Sequence, residues 1–422
     1  MRKSLYNWVF LLFLILSCAG KDKGENKLSV WVHSGQIPEK KAIERIIQDY
    51  NTQSDSVSVT LTIIPEGDYN AQIQSAALSG SLPDILEFDG PFMYNYIWQK
   101  KLRPIDSFMS DSLKKEIIPS ILDQGTFRGR IYTIGMFDSG LALYVNRSIL
   151  KKAGIEIPRG IEDSWTAERL TEILGILAGS DKDGQVIDLK MNYSGEWYTY
   201  AFSPVLHSAG AGLVSRPDYK KSSGVLNSNK AVEAMEVLQT WFKKGFVDRN
   251  IDDRAFVEKR VAFSWTGHWD FNRYQKALGK DLALIPLPDF GEGSRTGQGS
   301  WNWGITQNCS SPEKAADFLF YLLETDNILK MTRANGAIPS TENALRKSGD
   351  FGTQDIKSLF VRQLRKTAVP RPKTPAYPVI TSVFQEAFVK IRDGMNVRKV
   401  LDRAASEIDE DITENEGYEF EG

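Results

Sequence analysis

Two clusters of tryptophan and glycine are the most chemically distinctive segments of this sequence. One spans residues 263–270 (FSWTGHWD) and the other spans residues 299–304 (GSWNWG). A tryptophan ring offers a flat apolar face and a polar N–H group, which suits a sugar ring with its apolar C–H face and hydroxyl rim. A single tryptophan is more often a core residue. We nevertheless expect each cluster to place at least one ring in a small-ligand pocket.

Three carboxylates, Glu66, Asp89 and Asp138, stand in segments predicted to be loops or corners. A glycosidase would need two opposed carboxylates, one of them tuned as an acid. Side chains of this type equally well accept hydrogen bonds from sugar hydroxyls, so both interpretations stay open. The sequence has no Gly-x-Ser-x-Gly elbow and no Walker loop. Residues 181–184 (DKDG) resemble a calcium loop, but the glycine comes too early for an EF-hand, which favours a tight turn.

The composition argues against several other functions. The chain has 422 residues with 52 Lys or Arg and 54 Asp or Glu, a formal net charge of −2, so no basic field would attract nucleic acid. Its three histidines are scattered and its two cysteines are Cys18 and Cys309. No metal cluster is predicted, and no cofactor is expected. A chain of this length predicts two domains.

The elements that must position these residues begin with a strand–helix alternation. The pattern predicts strands over 28–32, 57–64 and 83–88, and helices from Pro38 to Tyr50 and over 68–78. This order favours a parallel sheet of the α/β class. Ligands of such sheets lie at the carboxyl ends of the strands, which makes residues 33–35, 66–68 and 89–91 candidate pocket loops.

The rest of the chain predicts a second domain joined to the first by crossing segments. We expect crossings near residues 135–140, 282–288 and 337–340, amphipathic helices over 165–178 and 229–243, and closing helices over 383–413. The acidic end from Glu414 to Gly422 predicts a frayed tail.

The N-terminus reads as an export signal that ends in a cysteine. Arg2 and Lys3 precede an apolar run, Trp8–Leu16, which is too short for a transmembrane helix. Ile15–Cys18 (ILSC) resembles a bacterial lipobox, which predicts a lipidated Cys18 and a tether over residues 18–27. A plain secreted protein with an incidental cysteine is the alternative.

Taken together, these motifs resemble the extracellular solute-binding proteins of bacterial ABC importers, the carbohydrate-binding family 1 type. The motifs that carry the resemblance run in order through the mature chain: SGSLPDI (79–85), GRIYTIG (129–135), YVN (144–146), AGI (153–155), Ser164–Trp165, Leu287–Pro288 and GAIP (336–339).

The resemblance implies an α/β, two-lobed periplasmic-binding-protein-like (type II) fold with a central cleft and hinge crossovers. The lobes are expected at 28–137 plus 287–337 and at 138–286 plus 338–422, after a signal peptide over 1–17. The ligand-binding residues expected from the loops, the tryptophan clusters and the resemblance are His33, Ser34, Glu66, Asp89, Asp138, Trp197, Gly267, Trp269, Trp301, Trp303 and Arg371.

The function predicted from these features is a non-catalytic, extracytoplasmic sugar receptor that delivers a mono- or oligosaccharide to an ABC importer by cleft closure. The expected partners are the carbohydrate, the permease subunits and a bacterial membrane reached through Cys18; the protein is expected to be a monomer. Two alternatives stay open: a surface lipoprotein enzyme acting on glycans, and the same fold binding a solute other than sugar.

Overall fold

The computed structural model describes residues 27–250, 252–299, 301–352 and 355–420. The predicted signal peptide, Cys18 and nearly all of the predicted tether lie outside the described residues. Within the described part of the chain, no helix combines the length and the apolar character needed to cross a membrane.

The strands, in chain order, are β1 (Lys27–His33), β2 (Ser58–Ile64), β3 (Ile85–Asp89), β4 (Thr126–Phe127), β5 (Arg130–Ile131), β6 (Thr133–Ile134), β7 (Phe137–Asp138), β8 (Leu141–Asn146), β9 (Ile187–Asp188), β10 (Phe263–Gly267), β11 (Leu282–Ile285), β12 (Thr296–Gln298), β13 (Trp301–Ile305), β14 (Ile338–Pro339) and β15 (Ala368–Pro370). The helices are α1 (Ile37–Gln53), α2 (Glu66–Ser79), α3 (Met93–Trp98), α4 (Asp111–Glu116), α5 (Pro119–Gln124), α6 (Arg147–Lys152), α7 (Ala167–Ala178), α8 (Trp197–Ser208), α9 (Asn229–Lys243), α10 (Phe271–Leu278), α11 (Pro312–Leu322), α12 (Thr325–Asn335), α13 (Glu342–Lys347), α14 (Ser358–Lys366), α15 (Tyr377–Arg392) and α16 (Val397–Glu414). Short 3₁₀ helices cover Gly90–Phe92, His268–Asp270, Gly279–Asp281 and Glu416–Tyr418.

The first lobe is built on a sheet with strand order β2-β1-β3-β13-β6. The predicted alternation is confirmed, since β1 runs parallel to both β2 and β3. Apolar side chains cover both faces of this sheet. In β3, Ile85 belongs to one apolar cluster and Leu86 belongs to another on the opposite face. Strand β3 ends at Asp89, at the same end of the sheet at which β1 ends at His33.

The second lobe is built on a mixed sheet with strand order β11-β8-β10-β9. Strand β8 is buried along its whole length and is antiparallel to β10 and β11. Leu141, Leu143 and Val145 pack into one apolar cluster, while Ala142 and Tyr144 pack into the cluster on the other face. This pairing ends β10 at Gly267, next to Leu141 in register.

Two pairs of short strands lie where the chain passes between the sheets. Strand β7 pairs with β14, and β12 pairs with β15. The passage expected at Leu287 comes later than predicted. Leu287 is buried in the core of the second lobe, and Asp289 is hydrogen-bonded to Trp165 and Ala167, so the chain reaches the first sheet only at β13. The other lobe boundaries stay predictions.

The acidic C-terminus corrects the expectation of a frayed tail. Tyr418 is buried and its hydroxyl donates to Asp411 Oδ2 at 2.8 Å. The ring of Phe420 lies 4.4 Å from that of Phe127, and Trp98 Nε1 donates to the Glu419 carbonyl at 3.2 Å. Tyr418 and Phe420 bury apolar surface, which stabilises the folded C-terminus. The acidic residues around them had led to the prediction of a solvated tail.

Candidate functional site

The first-lobe side of the candidate site is the end of the sheet where β1 and β3 end and β13 begins. Asp89 and Trp301 are partners in the antiparallel β3–β13 register, so they lie side by side. The His33 ring stacks on the Trp301 ring with centroids 3.6 Å apart and planes 4° apart. Tyr69 meets the Trp301 ring edge-on at 5.6 Å. Three segments that are distant in sequence thus form one aromatic surface.

His33 carries a positive charge against this surface. Burial by itself disfavours the imidazolium, but the surrounding carboxylates together outweigh burial and raise the pKa of His33 to about 9. The largest of these effects comes from Glu87, whose Oε2 lies 2.7 Å from His33 Nδ1. The carboxylates of Glu39 and Glu66 act in the same direction. His33 is therefore protonated at neutral pH and serves as a charged backing for Trp301.

The second-lobe side of the site is an aromatic group around Trp269. Its ring lies flat on Gly267, where an added Cβ would be only 2.1 Å from the ring. Trp197 and Tyr200 flank it at centroid distances of 6.0 and 6.1 Å. Glycine at position 267 is therefore required for Trp269 to occupy this place, which gives the predicted Gly267 a steric rather than a polar role.

Arg371 joins the two sides. Its Nη1 and Nη2 atoms donate to the two oxygens of Asp89 at 2.6 and 2.5 Å, and Nη1 also donates to Glu196 Oε1 at 2.6 Å. The guanidinium lies 5.0 Å from the centroid of the Tyr200 ring. Asp89 ends a strand of the first sheet, whereas Glu196 precedes a helix packed in the second lobe, so this ion network spans the cleft.

Glu196 is fixed from the other side by α15. Its Oε1 accepts from the Tyr377 hydroxyl, and its Oε2 accepts from Thr381 Oγ1 at 2.8 Å. Burial raises the pKa of Glu196 to about 7, helped by the nearby Asp89 charge and opposed by Arg371. This arrangement holds the carboxylate in place to anchor Arg371.

Asp138 lies in β7, between the lobes, and is fully buried. Its Oδ1 accepts from the Ser139 backbone N–H at 2.7 Å, while its Oδ2 has no hydrogen-bond partner among the described residues. Burial raises the pKa of Asp138 to about 6, against the effect of the hydrogen bonds that its carboxylate accepts. A spare acceptor of this kind could receive a hydroxyl.

We use the name cleft cluster for the linked set His33, Glu87, Asp89, Glu196, Tyr200, Trp269, Trp301 and Arg371. It contains five of the predicted ligand-binding residues. Trp197 is buried behind Trp269, and Trp303 is 1% exposed in the first-lobe core, on the same side of β13 as Trp301 but deeper. Ser34 is partly exposed, and Glu66 is exposed at the first residue of α2. The ligand contacts of all these residues stay predictions.

Sequence reasoning missed Glu87, Glu196, Tyr200 and Tyr377. Helical spacing could have found one pair, because Glu196 and Tyr200 are four residues apart at the start of α8 and both meet Arg371. Tyr377 and Glu87 carry no such signal. Among the described residues, no group of His, Cys, Asp and Glu side chains is arranged to hold a metal ion.

Comparison with known proteins identifies the family. The profile described as bacterial extracellular solute-binding protein matches residues 45–358. This chain belongs to the bacterial extracellular solute-binding protein family. Among family relatives, the maltodextrin-binding protein MdxE of Bacillus subtilis is 26% identical over 304 residues, which are 70% of this chain and 69% of MdxE.

Solved structures support the same fold. The ABC substrate-binding protein Lmo0181 of Listeria monocytogenes, in complex with cycloalternan, superposes with a TM-score of 0.79 at 18% identity and covers 92% of this chain and 99% of its own. The GacH receptor of Streptomyces glaucescens, solved unliganded and with acarbose, gives a TM-score of 0.76 at 18% identity over 92% of this chain and 98% of its own. The predicted α/β, two-lobed type II fold is thereby confirmed.

Proposed function

We propose that this solute-binding protein is a non-catalytic sugar receptor that delivers a mono- or oligosaccharide to an ABC importer. One observation carries the proposal: flat aromatic rings and hydrogen-bonding side chains from both lobes converge in the cleft cluster, with Trp301 and Asp89 on one side and Trp269 and Arg371 on the other. Aromatic faces suit the apolar side of a sugar, and the carboxylates suit its hydroxyls. The maltodextrin-binding relative supports a carbohydrate as the solute.

A site shared between two lobes also provides the transport signal. A sugar that contacts both lobes binds the closed form better than the open one, and only such a difference in affinity can shift the equilibrium toward closure. The closed form would then present its surface to the permease.

The positions of the carboxylates argue against an enzyme that cleaves glycans. An acid–base pair has to stand on opposite sides of the scissile bond. Asp89 and Glu196 instead both bind Arg371 Nη1, each at 2.6 Å, so they face the same cation. Asp138, with its raised pKa, is the remaining acid candidate for such a reaction.

A thermal-shift screen across mono- and oligosaccharides tests the proposal. A sugar at 100 times its dissociation constant should stabilise the folded protein by about 2.7 kcal/mol. Chromatography of the bound sugar after long incubation is the companion measurement. No shift across a broad panel would argue against sugar binding, and turnover that Asp138→Asn abolishes would show an enzyme.

The proposal includes a lipid anchor at Cys18, with the following residues as a tether. Acyl chains contribute about 0.8 kcal/mol per buried CH₂, and stable anchoring needs more than one chain. The Cys18→Ser variant should leave the membrane fraction of expressing cells while its sugar affinity stays that of the wild type. Membrane retention of this variant would remove the anchor from the proposal.

A further inference from the structure

The cleft cluster contains two cationic side chains, Arg371 and His33, and both are already paired with carboxylates. This bears on the charge of the sugar that the site accepts. The inference rests on the proposed function and adds a substrate class to it.

Arg371 has little capacity left for another anion. Both of its terminal nitrogens donate to carboxylates, at 2.5–2.6 Å, and Tyr200 covers one face of the guanidinium. Its side chain is 2% exposed. The backbone closes in as well, since a Cβ on Gly299 would lie 2.6 Å from Nη2. The three hydrogen bonds use three of the five guanidinium N–H groups, which leaves Nε–H and one N–H of Nη2. Nε is buried and the Gly299 backbone crowds Nη2, so this remaining edge of the guanidinium is enclosed by the protein.

His33 is also paired with a carboxylate, through one of its two ring nitrogens. Its Nδ1 lies 2.7 Å from Glu87 Oε2, and Trp301 covers its ring at 3.6 Å. The side chain is 5% exposed. The further carboxylates Glu39 and Glu66 are close enough to act on its charge.

Four carboxyl groups lie around the two cations of the cleft, so this set is net negative even when Glu196, whose pKa is raised to about 7, is protonated. Asp89, Glu196 and Glu87 belong to the cleft cluster, and Asp138 is close enough to act electrostatically on Tyr200. A sugar that brings its own carboxylate or phosphate would meet this negative field without an unpaired cation in the cleft cluster. A buried anion is stable only when it is paired and hydrogen-bonded, and like charges placed together cost several kcal/mol.

We propose that the site accepts uncharged sugars and rejects uronic acids and sugar phosphates, because carboxyl groups outnumber cations around the cleft and both cations, Arg371 and His33, are already paired with carboxylates. Arg216 is the nearest challenge to this proposal. It donates from Nη2 to the carbonyl of Pro370, the residue before Arg371, and its guanidinium lies 5.5 Å from the centroid of the Tyr219 ring. A guanidinium in that place is the obvious alternative receptor for an anion.

The test compares one neutral oligosaccharide found in the screen with its derivative in which a single primary alcohol is oxidised to a carboxylate. Calorimetry on the full mature protein should give about 100-fold weaker binding of the oxidised sugar. The Asp89→Asn variant removes one carboxylate and frees part of the Arg371 guanidinium. In this variant, the ratio of the dissociation constants of the oxidised and neutral sugars should fall at least about tenfold, even if the neutral sugar binds less well. The matched control Arg216→Gln should leave the ratio unchanged.

The outcomes separate the two proposals. Equal binding of the neutral and oxidised sugars would overturn the charge selection and leave the sugar receptor standing. Tight binding of the oxidised sugar that Arg216→Gln abolishes would overturn it too, by showing a free anion receptor. Binding of neither sugar, together with an empty screen, would instead contradict the proposed function.

Discussion

The Arg371→Ala variant should lose about 3–5 kcal/mol of unfolding free energy, because it removes the one cation between two buried carboxylates. Asp89 and Glu196 would then face each other across the cleft without a counter-ion. The variant should also bind sugar at least about tenfold more weakly, since the two lobes lose the ion network that joins them. Urea unfolding followed by circular dichroism measures the first effect, and calorimetry measures the second.

The neighbouring Lys373 provides a matched control. Lys373 pairs with Asp123 at 2.7 Å, but the Asp123 side chain is 60% exposed. Exposed ion pairs contribute about 0–1 kcal/mol, so Lys373→Ala should be close to wild type in stability. Arg371→Lys should recover only part of the loss, because an ammonium cannot bind Asp89 with two parallel hydrogen bonds. Wild-type stability and affinity in Arg371→Ala would show that the pair does not join the lobes in solution.

The second prediction concerns two tryptophans on one strand. Trp301→Ala should weaken sugar binding more than about tenfold while the protein stays folded, because the ring is partly buried at the cleft edge and stacks on His33. Trp303→Ala should instead cost about 3–5 kcal/mol of stability, because its ring is fully enclosed in the first-lobe core.

Comparing the two variants separates binding from folding. Both remove the same side chain from the same side of β13, and only the depth of the ring differs. Sugar titrations on each folded variant, together with urea unfolding, give the two readouts. Wild-type sugar affinity in Trp301→Ala would exclude this ring from the site, and an undiminished stability of Trp303→Ala would contradict its place in the core.

Local sequence patterns were sufficient to predict the first strands and helices of the chain. The strand and helix predictions for residues 28–88 agree with the structure to within a few residues, because apolar periodicity there matches the burial of each element. The expected turn at residues 181–184 is also present, with Asp181 Oδ1 accepting from the N–H groups of Asp183 and Gly184. The prediction of a frayed C-terminal tail was wrong, because two separate aromatic residues among acidic ones produce no apolar periodicity.

The sequence by itself determined that this chain forms alternating strands and helices, that aromatic clusters with glycine flank the predicted site, and that Asp89 stands at a strand end. Only the tertiary structure decided the electrostatics. Arg371 lies 282 positions from Asp89 and 175 from Glu196, and Tyr377 reaches the same carboxylate from α15. Local propensity acts over a few residues, whereas the charge state and pairing of a buried group depend on every element packed around it. The tertiary structure thus showed that the arginine is already bound to two carboxylates.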